Sequence, residues 1–395
     1  MKTITLLIVL SYSIVTTRGA VPSASQFEDF LKRFPKADLN RDGQLTLKEA
    51  NSYRSKFQKG RKSAGGGVVR EFKVDAGWSA PRFPEHAVAY QSPDEIKALY
   101  AKQVGKDKAV VSFPKPEDGS LRIVGTGHSF MAPGYKTLPL ITRAAGFEQP
   151  LYTHTGGGMT GSTRYKWEQE NGIFQFDSKP KPKLLASISN AKWEAMMWGP
   201  YFNDRPEYYS CWIEFGRKYN PGMKFYLSDA WPQLYQLKEI PKSEDFFTEA
   251  IFERLGEERT AGYRSLVNTL RKSFGEDVFI MPTSDAMVLA AKHFLRGELP
   301  GIEGLHNFIG KKERSLWRDQ LGHLGPGFDR LEGYVFYATI YRRSPELISD
   351  PIGFRDPADF PSPALDSVFR KIAWQAVIGN SLSGVRDKDR DGVGD

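Results

Sequence analysis

Between residues 121 and 341 the chain alternates short apolar runs with longer amphipathic stretches, and this alternation constrains its fold more than any other feature. The strand-length runs are Leu121–Val124, Leu184–Ile188, Ala195–Trp198, Lys224–Leu227 and Val278–Met281. The stretches with helical spacing are Tyr135–Ala145, Ser243–Leu255, Ala261–Phe274, Asp285–Leu295 and Leu331–Tyr341. Strands that alternate with helices are typical of βαβ units. The pattern therefore predicts an α/β fold in which helices cover both faces of a parallel sheet.

The composition is that of a folded protein with a large core. The sequence has 395 residues, of which 40% are hydrophobic and 13% aromatic, ample for such a core. The formal net charge is +8, but the basic residues are scattered and form no single stripe, so we predict no nucleic-acid binding. Cys211 is the single cysteine. An intrachain disulfide is therefore excluded, and a small buried residue is a better interpretation of Cys211 than a nucleophile.

The first residues have the pattern of an export signal. Met1 and Lys2 give a basic start, and Ile4–Val15 is a mostly apolar run. About a dozen apolar residues suit the core of a signal peptide, whereas a membrane span needs roughly 20. We therefore predict a signal peptide over residues 1–20 and a secreted or periplasmic protein, with a retained N-terminal anchor as the alternative. No later run is long and apolar enough to predict a membrane span.

Changes in composition divide the remainder into four segments. Residues 25–57 carry apolar residues at helical spacing, such as Phe27, Phe30 and Phe34, and we predict a small helical unit there. Residues 58–70 are rich in glycine and basic residues without apolar periodicity, which predicts a flexible linker. Residues 71–385 form the predicted α/β domain, and residues 386–395 form an acidic tail that we expect to be separate from its core.

The segment Asp38–Glu49 matches the EF-hand calcium loop. Calcium prefers about six to eight oxygen ligands, which such a loop supplies from alternate positions. Gly43 stands where the loop must turn sharply. The predicted calcium ligands are Asp38, Asn40, Asp42, Gln44 through its carbonyl, Thr46 and Glu49. We predict a weak calcium site with a structural role, and the alternative is a solvated acidic turn before a helix.

The tail repeats part of this pattern. Asp387, Asp389 and Asp391 occupy the first, third and fifth positions and Gly392 the sixth, but no closing Glu follows. The series resembles the thrombospondin type 3 repeat, whose Asp-rich loops bind calcium, and this resemblance makes the three aspartates weaker calcium candidates. A solvated, frayed terminus is the alternative.

One apolar run leads into a glycine-rich turn. Leu121–Val124 is followed by Gly-Thr-Gly-His-Ser-Phe, so Ser129 is expected at the carboxyl end of a strand, where ligands bind in open α/β sheets. A dinucleotide fingerprint would need glycine in place of Phe130 and an acidic partner further on, so we reject that interpretation. What remains is an exposed serine beside backbone N–H groups that can stabilise negative charge.

This turn resembles the nucleophile block of the SGNH, or GDSL-like, hydrolases, in which the serine lies in a Gly-Asp-Ser or Gly-Asn-Ser turn. Here the middle residue is His128. Over residues 115–345 three further blocks follow in the family's order, at His154–Gly161, Gly199–Asp204 and Arg318–His323. The third block of the family is Gly-x-Asn-Asp, which here has two extra residues, and the last is Asp-x-x-His, which here has one. The resemblance implies a flavodoxin-like three-layer sheet of the SGNH type and an ester-cleaving activity.

The same resemblance assigns roles residue by residue. Ser129 would be the nucleophile, His323 the general base and then acid, and Asp319 the group that orients the imidazole. Gly157 and Asn203, with the Ser129 N–H, would stabilise the oxyanion. The alternatives are a flexible loop at Gly157 and an ordinary turn residue at Asn203.

Other residues of the region have less specific signals. His154 is an alternative base or substrate contact, whereas His86, His293 and His306 fit structural roles. Aromatic residues crowd the region after the third block: Trp198, Tyr201, Phe202, Tyr208, Tyr209, Trp212 and Trp231. A wall for sugar stacking would use such residues, but we favour burial in the core for most of them.

We therefore predict a secreted, calcium-binding serine ester hydrolase, specifically a carbohydrate esterase or O-deacetylase that acts on a small-molecule or polysaccharide ester. The alternative is a non-catalytic protein of SGNH-like fold that binds a glycan or surface partner with calcium, an interpretation that His128 and the wider spacing of Asp319 and His323 favour. A metal-dependent hydrolase is a weaker option, because no His/Asp cluster has the spacing of a catalytic metal site. The oligomeric state is left open.

Overall fold

The computed structural model describes residues 28, 31–32, 35–38, 42–46, 49, 111–155, 165, 184–200, 205–350, 352 and 360–395. Two compact units make up the chain, Met1–Gly66 and Gly67–Asp395. The predicted signal peptide and the predicted linker at residues 58–70 lie outside the described residues, as do Asn40, Gly157 and Asn203. No described helix is both long and apolar enough to cross a membrane.

A parallel five-stranded sheet forms the centre of the larger unit. Its strands are β1 Ile123–Gly127, β2 Leu151–Thr155, β3 Ala195–Trp198, β4 Lys224–Ser228 and β5 Val278–Met281. The order across the sheet is β2-β1-β3-β4-β5, which is the order of flavodoxin-like sheets. The α/β class and the parallel sheet predicted from the sequence are therefore confirmed. The order reverses between β1 and β3, and the crevice at such a switch point is where these sheets bind ligands.

Helices cover both faces of this sheet. The described helices are α1 Ala132–Ala144, α2 Leu184–Asn190, α3 Glu207–Tyr219, α4 Glu249–Phe274, α5 Thr283–Leu295, α6 Asn307–Gly310, α7 Phe328–Tyr341 and α8 Pro363–Gly379, of which the short α6 lies beside the second sheet described below. Along β3, Ala195 and Met197 pack in the core that contains α1, α5, α7 and α8. Met196 and Trp198 point into the other core, with α2, α3 and much of α4. A strand buried on both faces has no polar side, which is why β3 is a continuous apolar run.

Two elements differ from the sequence prediction. The run Leu184–Ile188, predicted as a strand, is helix α2, and every residue from Leu184 to Ser189 is buried. A short run that is apolar all round carries no periodicity to separate a buried helix from a buried strand. The stretches 243–255 and 261–274, predicted as separate helices, lie mostly in the single helix α4. Glycine is needed at position 256 of this helix, because a Cβ there would lie only 2.6 Å from a methyl carbon of Val288.

Several elements were missed from the sequence, among them β2, α3 and α8. β2 is an edge strand of the sequence Leu-Tyr-Thr-His-Thr, partly or fully exposed along its length, so it contains no apolar run. α8 had a recognisable start, because the Ser362 side chain accepts the Leu365 N–H and Pro363 opens the first turn. Helices α3 and α8 lie outside the motif blocks and fill the two faces of the sheet.

A small second sheet carries the last motif block. Its parallel strands are β6 Gly304–His306 and β7 Ser315–Trp317. Beyond β7 the chain turns back, so that Trp317 pairs with Leu324 in an antiparallel bridge. The Arg318 N–H donates to the His323 carbonyl oxygen at 2.8 Å. The loop of residues 318–323 is thereby closed at its base.

Candidate active site

A sharp turn lifts Ser129 out of the sheet. β1 ends at Gly127, whose φ of 141° favours glycine. A Cβ at Gly127 would lie 3.1 Å from the backbone nitrogen of Gly199, the residue after β3. The N–H groups of Met131 and Ala132 donate to the His128 carbonyl oxygen at 2.9 and 3.2 Å, which closes the turn before α1 begins. Ser129 is exposed at the carboxyl end of β1, as the sequence predicted.

Three side chains from distant parts of the chain meet at this turn. Ser129 Oγ lies 2.8 Å from His323 Nε2. On the other side of the imidazole, His323 Nδ1 lies 2.8 Å from Asp319 Oδ2 and 3.0 Å from Asp319 Oδ1. These distances are those of a nucleophile, a base and a carboxylate that orients the base. The structure therefore brings together Ser129, His323 and Asp319, the three residues that the sequence predicted to act as a group.

The wider spacing of the last block is absorbed by its own loop. Gly322 has a φ of +84°, and its N–H donates to the Asp319 carbonyl oxygen at 3.1 Å. Asp319 Oδ1 accepts the backbone N–H groups of Leu321 at 3.1 Å and of His323 at 3.2 Å. Because Gly322 takes the left-handed conformation, the additional residue forms part of a tight turn and the carboxylate still reaches the imidazole.

The Asp319 carboxylate is held in its ionised form. Burial raises its pKa, but the N–H of His323, the charge and ring of His323 and the charge of Arg318 together bring the pKa below its ordinary value. The Arg318 Nε lies 3.4 Å from Asp319 Oδ2. An ionised carboxylate at Nδ1 selects the tautomer in which Nε2 is free to take a proton from Ser129, and it stabilises the imidazolium that results.

Two aromatic residues that the motif blocks did not assign hold the imidazole in place. The Phe130 ring packs on the edge of His323, with centroids 5.1 Å apart, and on Trp231 at 5.0 Å. The Trp231 Nε1–H donates to the Gly322 carbonyl oxygen at 2.7 Å. Trp231 follows closely after β4, so its position at the ligand-binding edge of the sheet was a usable signal. Its burial agrees with the interpretation favoured from the sequence, as does that of Trp198, Tyr208, Tyr209 and Trp212.

The two remaining predicted oxyanion donors both lie outside the described residues. Gly157 and Asn203 are among those not described. Gly199, which opens the third block, is described, and its N–H donates to the Thr126 carbonyl oxygen at 3.2 Å. The start of the third block therefore lies against the end of β1, beside the Ser129 turn.

The other described histidines occupy different settings. His154 lies on β2, in register with Thr126, and the ring bonded to Ser129 is that of His323. His293 contacts Glu298, with Nδ1 2.6 Å from Oε2. His306 stacks on Trp317 at 4.5 Å between centroids, and burial lowers its pKa to about 3. A neutral, stacked imidazole fits the structural role that we expected for His306.

The described part of the N-terminal loop carries oxygen-bearing side chains of the kind that bind calcium. Gly43 has a φ of +80°, and its N–H donates to Asp38 Oδ2 at 2.8 Å. The Gln44 N–H donates to Asp42 Oδ1 at 2.8 Å. Thr46 Oγ1 donates to Glu49 Oε2 at 2.6 Å. The side-chain atoms that these residues could offer to a metal are all oxygen, the ligand type that calcium prefers. The loop turns at Gly43, as the EF-hand pattern requires.

The acidic tail is tied to the domain, contrary to the expectation that it would be separate. Val393 forms an antiparallel bridge with Arg343, and the Ser344 N–H donates to the Gly392 carbonyl oxygen at 2.7 Å. The Trp374 Nε1–H donates to Asp387 Oδ2 at 3.0 Å. One carboxylate oxygen from each of Asp387, Asp389 and Asp391 lies within 4.8 Å of the others. Backbone pairing, which composition does not reveal, fixes the tail.

The larger unit is thus an α/β domain of flavodoxin-like strand order with a Ser-His-Asp arrangement at its switch point. No protein-family model matches the sequence, and no curated protein matches it significantly. Among solved structures, the chain is similar to a DUF4886 family protein from Bacteroides uniformis. The identity is 12% and the TM-score 0.45, over 66% of this chain and 95% of that chain.

A second solved structure to which the chain is similar is that of a candidate GDSL-like lipase from Parabacteroides merdae. The identity is 10% and the TM-score 0.32, over 57% of this chain and 97% of that chain. Likenesses this distant assign no activity to the chain.

Proposed function

We propose that the protein is an exported serine ester hydrolase of the SGNH type. The observation that carries the proposal is the continuous hydrogen-bonded line from Ser129 Oγ through His323 to Asp319, with 2.8 Å at each end. The line lies at the carboxyl ends of parallel strands, and Ser129 is exposed to an incoming substrate. The predicted signal peptide supports a secreted or periplasmic location.

In the proposed mechanism, Ser129 attacks the ester carbonyl carbon while His323 Nε2 takes the Oγ proton. Asp319 holds the imidazolium. The Ser129 N–H, with Gly157 and Asn203 by the family resemblance, stabilises the negative oxygen of the tetrahedral intermediate. That intermediate collapses to an acyl-serine as His323 returns the proton to the leaving alcohol. Water then attacks the acyl-serine with His323 again as base, which releases the carboxylic acid and restores Ser129.

The exposure of the site supports a substrate larger than the reacting ester. Ser129 is exposed, and Leu321, between Asp319 and His323, has 63% of its surface exposed. An ester group displayed on a polymer can approach such an exposed nucleophile. We propose O-acylated carbohydrate as the substrate class, with removal of a small acyl group such as acetyl.

Labelling with a fluorophosphonate probe tests the proposal. We expect the purified mature protein to be labelled, and the Ser129→Ala and His323→Ala variants to remain unlabelled. Ser265→Ala, which removes an exposed serine on α4, is the matched control and should label like wild type. Hydrolysis of p-nitrophenyl acetate and of acetylated xylan should follow the same order. If folded wild type is neither labelled nor active on any ester, the binding-protein alternative replaces this proposal.

We further propose that the N-terminal loop binds one calcium ion with a structural role. The support is the oxygen donor set and the turn at Gly43. Isothermal titration should detect calcium binding that is lost in Glu49→Gln, whereas ester hydrolysis should persist in excess chelator. Abolition of turnover by the chelator would contradict the structural role.

A further inference from the structure

His128 occupies the turn between Gly127 and Ser129 and is 8% exposed. One of its ring nitrogens, Nε2, contacts the Pro200 carbonyl oxygen, beyond the end of β3. The other, Nδ1, accepts the backbone N–H of Phe130 at 3.3 Å. A single side chain therefore closes the nucleophile turn on one side and joins it to the neighbouring strand exit on the other.

These two partners select one form of the imidazole. A carbonyl oxygen can only accept a hydrogen bond, so Nε2 must carry a proton. The Phe130 N–H can only donate, so Nδ1 must be without one. Both contacts are satisfied by the neutral ring protonated at Nε2, whereas a second proton on Nδ1 would oppose the Phe130 N–H.

The surroundings favour the same neutral form. Burial lowers the pKa of His128, the Pro200 carbonyl raises it and the charge of His323 lowers it, with a net result below the ordinary value. The Phe130 ring contacts the rings of both His128 and His323, at 5.2 and 5.1 Å between centroids. When His323 holds a proton during acyl transfer, its positive charge therefore disfavours protonation of His128.

We infer that His128 is a positioning residue for the proposed hydrolase, and that its neutral ring joins the Ser129 turn to the exit of β3. The inference rests on the proposed function. Asp or Asn at this position, as in the resembled family, is shorter: its tip ends near the place of Nδ1, so it can close the turn but does not span to Pro200. The bond to Pro200 also fixes the main chain three residues before Asn203, the predicted oxyanion donor.

Two substitutions separate the two contacts of the ring. His128→Gln keeps an N–H₂ donor near the place of Nε2 and loses the acceptor for Phe130. His128→Asn keeps an acceptor near the place of Nδ1 and loses the reach to Pro200. If the bond between the strand exits positions Ser129, kcat for p-nitrophenyl acetate should fall about 10- to 100-fold in His128→Asn and in His128→Ala, with little change in KM. His128→Gln should recover most of that loss.

The direct measurement is ¹⁵N NMR of histidine-labelled protein, with His128→Gln to assign the signal. We expect a neutral ring protonated at Nε2 at pH 7, a result that needs no activity. A charged ring, or a ring protonated at Nδ1, overturns the inference.

The kinetic results have separate meanings. If wild type is active and His128→Asn has the same kcat, the inference is overturned. It is also overturned if His128→Gln has a kcat no higher than that of His128→Ala. Wild type that is inactive on every ester removes the proposed function instead. Thermal unfolding of each variant shows whether a loss of kcat exceeds what a loss of fold explains.

Discussion

Ser129 and His323 meet at one hydrogen bond, but the main chain behind each is held in a different way. Behind Ser129, the Tyr135 hydroxyl lies within hydrogen-bond distance of two buried carbonyl oxygens, that of Thr126 at 2.9 Å and that of Met197 at 3.1 Å. Behind His323, the loop is closed by backbone bonds between its own residues, by the bonds that the Asp319 carboxylate accepts from Leu321 and His323, and by the indole bond of Trp231. The nucleophile is thus mounted on the sheet and the base on a loop.

This difference predicts where each half is vulnerable. Bonds inside the sheet belong to the core of the fold, so their loss should lower stability more than activity. Bonds that orient the loop contribute little to the core, so their loss should lower kcat more than stability.

The largest expected effect is at the carboxylate of the loop. Asp319→Asn keeps an oxygen for the N–H groups of Leu321 and His323, but it removes the charge that selects the imidazole tautomer. We expect kcat for ester hydrolysis to fall by about 10³- to 10⁴-fold with a small change in the unfolding temperature. Asp277→Asn, which alters a half-buried ion pair with Arg217 before β5, is the control and should keep full activity. A fall of less than tenfold in Asp319→Asn would contradict the assigned role.

A smaller loss should follow from weakening the indole bond. Trp231→Phe keeps an aromatic ring against Phe130 but removes the donor to Gly322, so His323 loses one constraint. We expect kcat to fall roughly tenfold. Trp198→Phe is a matched control, because Trp198 is also fully buried and its Nε1 has no hydrogen-bond partner within the described part of the chain. Equal kinetics in the two variants would show that the indole bond does not orient the base.

On the Ser129 side of the site, which is held by the sheet, a substitution should lower stability more than activity. Tyr135→Phe removes a buried hydroxyl that bridges β1 and β3, and we expect the free energy of unfolding to drop by about 1–2 kcal/mol. The change in kcat should stay below about threefold, because the turn at Gly127 and the contacts of His128 remain. Denaturant unfolding and steady-state kinetics on the same sample measure both quantities. A large loss of kcat with unchanged stability would break the comparison.

The smallest expected effect concerns a buried acid behind α1. Glu332 Oε2 accepts the Gly134 N–H at 2.7 Å, and burial raises the pKa of Glu332 well above its ordinary value. Because the folded state binds the proton more tightly than the unfolded state, this group favours folding below its unfolded pKa. That contribution is lost as the pH rises toward the folded pKa.

Glu332→Gln removes this dependence and keeps an acceptor for Gly134. We expect its unfolding temperature to exceed that of wild type by roughly 2–4 °C at pH 8 and to match it near pH 5. Thermal unfolding at the two pH values checks the sign, and a destabilised variant at pH 8 would show that the carboxylate is ionised in the folded state.

Local patterns in the sequence were sufficient for one half of the site. A strand, a glycine turn and a helix follow one another in β1, the Ser129 turn and α1, so neighbouring residues place the serine at the edge of the sheet. Local patterns gave the wrong prediction at α2, because a short run that is buried on all sides has no periodicity to distinguish a helix from a strand. They also failed for Phe130 and Trp231, because their contacts with His323 and Gly322 join residues far apart in the chain.

By itself, the sequence determined the α/β class, the place of Ser129 at the end of a strand, and the choice of His323 and Asp319 as its partners through the family resemblance. It also supplies the calcium-loop prediction, which stays a prediction. Only the tertiary structure decided that the wider last block still aligns Asp319 with the imidazole, that Trp231 supports this loop, and that His128 joins two strand exits. Periodicity and turn chemistry act between near neighbours along the chain, whereas distances between side chains about 200 residues apart depend on how the whole sheet and its helices pack.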